Sequence, residues 1–383
     1  MEKDTKMIPR SQKDLVIEKL SSNRLLIIQG PKKVGKSTLI RNVLDELKTS
    51  FFWHDCADKK LIKQLKDKGG KPKELYDESY EVVVLFDAQY LTELSSILYD
   101  VLDGKIKPTL IVVCSFQPKI DPDLLKALQV EGLEINLFAP TFYESAKHFG
   151  LPKEESLLEE RLIYGSYPEV LADIDNAEEL LKGIIHSSVF TNLSDKERIN
   201  KADNLLRMLQ LLAFSIGGTT TYNDISERCG LDNETVERYI KLLEDAFLLF
   251  RLPSFHSNNR YELKKSNTIY FCDTGIRNAL ISNFNPPHLR NDMNELWRNY
   301  VIAERIKWIR MNQLDKSCFF WKTHTNQTID FLEVGDGIIR AYKTDWEKRK
   351  KVKLPARFSE TYSEAKTSVI NKATYWKVLT QKN

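Results

Sequence analysis

The chain has 383 residues, 42% hydrophobic and 29% charged, an ordinary globular composition with length enough for two or three domains. A formal charge of +3 is too small to argue for a nucleic-acid partner, so local clusters must carry any such case. Five cysteines stand far apart with no CxxC pair and six histidines are scattered, which suggests neither a disulfide framework nor a zinc site. No run reaches the ~18 apolar residues of a membrane span, and the start MEKDTKMIPR lacks the apolar core of a secretory signal. The expected compartment is a reducing cytoplasm, with no membrane partner.

Residues 11–22 read as an amphipathic helix. Leu25 to Ile28 then form a short apolar run, the mark of a buried parallel strand. It leads into Gly30, Pro31, Lys32, Lys33, Val34, Gly35, Lys36 and Ser37, which fit G-x-x-x-x-G-K-[ST] at every fixed position. Thr38 closes the loop, and Leu39, Ile40, Val43 and Leu44 follow at helix spacing. Phosphates need a concave row of backbone N–H groups, and glycines let the chain bend around them. The helix N-terminus adds positive potential. Lys36 is expected to reach the β- and γ-phosphates and Ser37 to sit on Mg²⁺, so ATP and Mg²⁺ are the expected cofactors, held by Gly30 through Thr38.

Ser50 to Asp55 reads as a second strand, and the lysine-rich residues 57–76, with Gly69 and Gly70, as a helix and solvated loop. Glu81 to Asp87 is an apolar run ending in an acid, and Asp87 is expected to join the Mg²⁺ shell from the carboxyl end of its strand. Ala88 follows, where a carboxylate could polarise the attacking water; alanine cannot act as a base. Leu110 to Ser115 is a further strand whose terminal serine is placed to read a γ-phosphate, and Ile135 to Phe138 is expected as the last strand of this sheet. Strands and helices alternate over residues 24–140, which predicts an α/β fold with a parallel sheet and a phosphate site at its carboxyl edge.

From 141 to 215 the pattern turns helical. Residues 203–251 look like a winged helix-turn-helix: a helix over Leu205–Phe214, a second opening at Tyr222, a turn at Gly230–Asp232, a third helix from Thr235, and a wing strand over Phe247–Leu252. Such a third helix can enter the DNA major groove, but here it carries Asp232, Glu234, Glu237 and Glu244 and favours a packing or protein contact. A third unit over 268–346 shows strands at Ile269–Phe271, Phe319–Lys322, Thr328–Glu333 and Ile338–Tyr342, with a long helix over Glu295–Ile309. The cluster Lys348 to Lys353 reads either as a nucleic-acid or acidic-partner contact or as a solvated loop.

The stretches GPKKVGKSTL, ERLIYGSYPEVL, LLRMLQLLAFSIGG, TVERYIKLLEDAFLLFRLPSF, NTIYFCDTGIRNALI, ELWRNYVIAERIKW and FFWKTHTNQTIDFLEV together resemble the bacterial and archaeal AAA-type (STAND-like) ATPases that join a P-loop domain to a restriction-endonuclease-like end. The resemblance spans residues 30–333. It implies a P-loop NTPase parallel sheet over 1–145, a helical lid or linker over 146–202, a winged helix-turn-helix over 203–262 and an α/β restriction-endonuclease-like domain over 263–383. The chain departs from the family at Ala88, at Val130-Glu131, at Phe190 to Leu193, at Arg298 and at Lys343-Thr344-Asp345. Glu304 and Asp330 remain as nuclease-type metal ligands, but Lys343 places a cation where the second carboxylate belongs, so nuclease activity is not expected. The expected function is an ATP-binding AAA/STAND-type protein with weak or lost hydrolysis, in which nucleotide acts on conformation, on a protein partner or on self-association. The alternative is a DNA-binding, nuclease-like ATPase in DNA processing or defence.

Overall fold

Five strands make a parallel sheet in the order β2-β3-β4-β1-β5: β1 is Leu25–Gln29, β2 Phe51–Asp55, β3 Val82–Phe86, β4 Thr109–Cys114 and β5 Glu134–Asn136. The computed structural model describes residues 7–58, 78–193, 202–218, 221–256, 266–347 and 354–380. The lysine-rich segment beyond residue 58, the cluster Lys348 to Lys353 and the side chains of Phe190 to Leu193 lie outside the described residues. The described chain divides into two compact units, Met1–Ala139 and Pro140–Asn383.

In the first unit every residue of β1 is buried, as a strand covered on both faces must be. Leu25, Ile27, Val83, Leu85, Leu110 and Val112 pack under the helices Leu94–Leu102 and Pro122–Val130. The alternate residues Leu26, Ile28, Val84, Ile111 and Val113 are buried on the other face. There the helix Lys13–Ser22 packs on Lys36–Leu47 and β1. The strand order reverses at β1: β2, β3 and β4 lie on one side and β5 on the other. Such a switch point opens a crevice at the carboxyl ends of the strands, and it lines up Gly30, Asp87 and Ser115 on one edge.

The second unit starts with a helix, Phe142–Phe149, closed by a reciprocal Thr141–Glu144 cap. The helical run expected around Glu159–Glu169 is split, as its Gly and Pro imply, into Leu158–Tyr164 and Pro168–Ala172. After Ala177–Leu193 and Ala202–Phe214 come Tyr222–Cys229, a left-handed Gly230 and Asn233–Asp245, whose first turn is capped by Asp232. Strand β6 (Leu249–Pro253) then pairs antiparallel with β7 (Asn267–Phe271). Ile269–Phe271, expected among the later strands, therefore belongs to this ribbon, which spans the expected boundary at 262/263. Its nearest strand in sequence is the natural partner for a short antiparallel pair.

A second sheet has the order β11-β10-β9-β8, with β8 Ser317–Lys322, β9 Thr328–Gly335, β10 Ile338–Thr344 and β11 Lys366–Ile370. Its fourth strand, β11, runs parallel to β10 and comes from the tail, where the sequence pattern gave no strand. Ser254, just past β6, makes an isolated bridge to Phe320 of β8, which sets the separate β6–β7 ribbon beside this sheet. The helix Met293–Met311 is buried nearly all round, and Trp297, Tyr300, Val301 and Ile302 form the centre of the core with Phe320, Phe331 and Tyr375. Asn299 fastens it to β7, accepting from Phe271 N at 2.8 Å and donating to Phe271 O at 2.9 Å. Among the described residues no helix is long and apolar enough to cross a membrane.

Candidate functional site

The loop between β1 and the helix Lys36–Leu47 alternates in backbone handedness: Gly30 has φ +152°, Lys33 +62° and Gly35 +96°. Such alternation turns successive N–H groups toward one concavity. Gly30 has no room for a side chain, because a Cβ there would lie 1.8 Å from Leu137 O, a backbone atom that cannot swing aside. Gly30→Ala is expected to cost about 3 kcal/mol, the upper range of overpacking penalties. Thermal denaturation of the full chain checks this, and an unchanged midpoint would mean that the loop yields freely. Arg10 secures the loop from behind, with Nη1 donating to Val34 O at 2.7 Å and Nη2 to Phe138 O at 2.6 Å. A lone arginine in a charged leader gives no sequence signal for this role.

Lys36 is 4% exposed, and its Nζ donates to Gly30 O at 2.7 Å and Pro31 O at 2.6 Å. Burial pulls its pKa down to about 7, against the partial support of the Asp87 charge. Ser37 follows, half-buried, at the start of the helix. Asp87 stands just past the end of β3 in a left-handed conformation with φ +53°. Its Oδ1 accepts from Gln89 Nε2 at 3.0 Å, and Gln89 Oε1 accepts from Ser115 N at 3.1 Å. Gln89 thus links the ends of β3 and β4, a role the sequence did not reveal. Ala88 is fully buried, its methyl group packed in the apolar core. Beneath the site, burial raises the Cys56 thiol to about 12 and pushes Cys114 up as well, so both remain protonated.

The arrangement suits a nucleoside triphosphate with Mg²⁺. The glycine cradle receives phosphates through backbone N–H groups, Lys36 supplies a charge, and Ser37 and Asp87 offer oxygens to a hard cation. Bound there, Mg²⁺ would neutralise charge on the phosphate oxygens.

The acidic positions of the second unit are arranged otherwise. Asp330 on β9 accepts from Lys343 Nζ at 3.0 Å, from Thr344 N at 2.7 Å and from Thr344 Oγ1 at 3.1 Å, with Arg298 Nε 3.7 Å away. Glu304 is committed elsewhere: Oε1 accepts from Lys307 Nζ and Oε2 from Phe142 N, both at 2.7 Å. Beside it lies a cavity of about 10 Å³ lined by Asp273, Tyr300 and Lys307 among others. That is room for one water molecule. Burial opposes the Lys307 charge, but Glu304 and Asp273 more than offset it and hold its pKa above the usual lysine range. Among the described residues no group of three or more His, Cys, Asp or Glu is placed to hold a metal ion. The residue that joins Asp330 and Lys343 is Arg298, not Glu304.

Comparison with known proteins agrees with the first unit's geometry. Residues 22–146 match a family described as AAA domain, and residues 155–287 match a domain of unknown function, DUF8612. An uncharacterized protein of Haemophilus influenzae is 22% identical over 275 residues, covering 67% of this chain and 68% of that protein. Among solved structures, a Walker-type ATPase of Pyrococcus abyssi aligns with a TM-score of 0.47 at 15% identity, covering 71% of this chain and 95% of that one. A Thermotoga maritima RuvB structure described as a Holliday junction branch migration motor aligns at 0.30 and 15% identity, covering 64% and 90%. The parallel sheet and the glycine loop lie within the match over residues 22–146, so the first unit has a P-loop fold similar to the AAA domain.

Proposed function

We propose that the first unit holds ATP–Mg²⁺ and that nucleotide acts here mainly as a ligand, changing conformation, partner binding or self-association, with weak hydrolysis. The observation that carries this reading is the pairing of a complete phosphate cradle with an apolar residue 88. The cradle, Lys36, Ser37 and Asp87 support binding. Ala88 faces the core, and the polar neighbour of Asp87 is Gln89, an amide that can orient a water but not take its proton. Turnover is expected below about 1 s⁻¹, the low end of ordinary enzymes. A phosphate-release assay on the full chain checks it, and turnover of tens per second would mean that another group serves as base. Sedimentation with and without ATP tests the ligand role; no change in either self-association or partner capture would count against it.

The second unit supports a finer reading. The helices Tyr222–Cys229 and Asn233–Asp245 followed by the β6–β7 ribbon fit a winged helix, and the β8–β11 sheet with the helix Met293–Met311 fits a restriction-endonuclease-like end. The paired Lys343 and Asp330 support an inactive nuclease centre. Glu234 and Glu237 on the second of those helices favour a protein contact over DNA reading.

A further inference from the structure

Asp87 and Ser115 stand just past the ends of neighbouring strands, and one side chain spans the gap between them. Gln89 Nε2 donates to Asp87 Oδ1 at 3.0 Å, and Gln89 Oε1 accepts from Ser115 N at 3.1 Å. These partners fix which way the amide points. A carboxylate only accepts and a backbone N–H only donates, so a flipped amide would set acceptor against acceptor and donor against donor. Ser115 follows Cys114, whose carbonyl accepts from Gly30 N at 3.2 Å. The ends of β3 and β4 and the first glycine of the phosphate loop are thus tied to one another.

The turn that carries Gln89 suits this contact. Asp87 has φ +53°, a left-handed conformation that a non-glycine residue keeps only where its surroundings hold it. The chain bends tightly there, with Tyr90 N donating to Asp87 O at 3.2 Å and Leu91 N to Ala88 O at 3.0 Å. Ala88 goes into the core, and Gln89 comes to stand beside the carboxylate. Among the described residues Asp87 Oδ2 accepts no hydrogen bond. One carboxylate oxygen is held, and the other is left for a ligand.

We infer that Gln89 is the positioning residue of the cation site: anchored on the Ser115 backbone, it holds Asp87 by one oxygen and so leaves the other set for Mg²⁺. This role rests on the reading of the first unit as a holder of ATP–Mg²⁺. Gln89 acts through Asp87 and touches neither nucleotide nor cation. Groups that orient a metal ligand in this way are commonly worth about 10- to 100-fold in metal affinity.

The test measures ATP binding to the full chain by calorimetry, from EDTA up to millimolar free Mg²⁺. Gln89→Met keeps the length of the side chain and loses both hydrogen bonds. It is expected to raise the Mg²⁺ concentration for half-maximal enhancement about tenfold or more, while affinity in EDTA stays within about twofold. Asp87→Asn is expected to abolish the enhancement, and adding Gln89→Met to it to change affinity by less than about twofold, because the group that Gln89 holds is already gone. Gln89→Asn is one methylene too short to reach both partners and should repeat the Gln89→Met result, which keeps the test open if circular dichroism shows that the methionine variant does not fold. Equal losses in EDTA and in Mg²⁺ would mean that Gln89 only supports the fold, and an unchanged Mg²⁺ midpoint that Asp87 needs no holder. Either result, or a further loss in the double variant, overturns the proposal, as does a wild type that binds ATP without regard to Mg²⁺. A wild type that binds no ATP at any Mg²⁺ concentration removes the nucleotide reading, and this role with it.

Discussion

Lys36→Ala is expected to weaken ATP–Mg²⁺ binding about 100-fold or more, because it removes a charge-assisted contact to the phosphates from a buried position. The loop itself shows how that charge is held. Lys36 is folded onto the Gly30 and Pro31 carbonyls, and burial holds its pKa near 7. Polyphosphate favours the charged amine, so binding above neutral pH must bring a proton with it. Wild-type affinity is therefore expected to fall as pH rises above about 7, by up to tenfold per pH unit, and the Lys36→Ala profile to be flatter. The sign for folding is the reverse. Between about 7 and the ordinary lysine value the unfolded chain holds a proton that the empty folded protein lacks, so stability from this group rises with pH over that window. Lys36→Met should accordingly raise the thermal midpoint of the empty protein near pH 6 while abolishing binding. Calorimetry in buffers of different ionisation enthalpy measures the proton directly. Equal ATP affinity in wild type and Lys36→Ala would remove the nucleotide reading altogether.

The phosphate loop was legible because its chemistry is local. Eight consecutive residues fix the glycines, the lysine and the helix start, and the flanking apolar runs declare their strands. What the sequence concealed is what joins distant positions. Arg10 reaches Val34 and Phe138, 24 and 128 residues away, and no spacing rule points to it. The substitution at Ala88 is plain in the sequence, but only the fold shows its methyl group in the core and Gln89 standing beside Asp87. Glu304 and Asp330 are paired through the resemblance to a nuclease-like end; their hydrogen bonds commit them to different partners. Strand β11 went unseen because Lys366, Thr367 and Ser368 are exposed and polar, so an edge strand there has no alternating apolar signal.

The largest stability effect in the second unit is expected at Glu333. Its carboxylate accepts from Arg305 Nε at 2.6 Å and Nη2 at 2.9 Å, with both side chains 1% exposed and Lys316 Nζ 3.8 Å away. Taking two charges out of water is costly, and the pair repays that only while both members are present. Glu333→Ala leaves the Arg305 guanidinium buried without its counter-charge, so it should cost about 3–5 kcal/mol. Arg305→Met should cost less. Lys316 still faces the carboxylate, although the Arg305 bond to Val378 O at 2.8 Å is lost. Replacing both, as Arg305→Met with Glu333→Leu, removes the orphaned charge and should recover much of the loss, because well-packed apolar side chains of similar volume substitute for a buried pair at little cost. Chemical denaturation of the wild type, Glu333→Leu, Arg305→Met and the double variant gives the coupling term. A Glu333→Ala cost below about 1 kcal/mol would mean that water reaches this pair and screens it as it does a surface bridge.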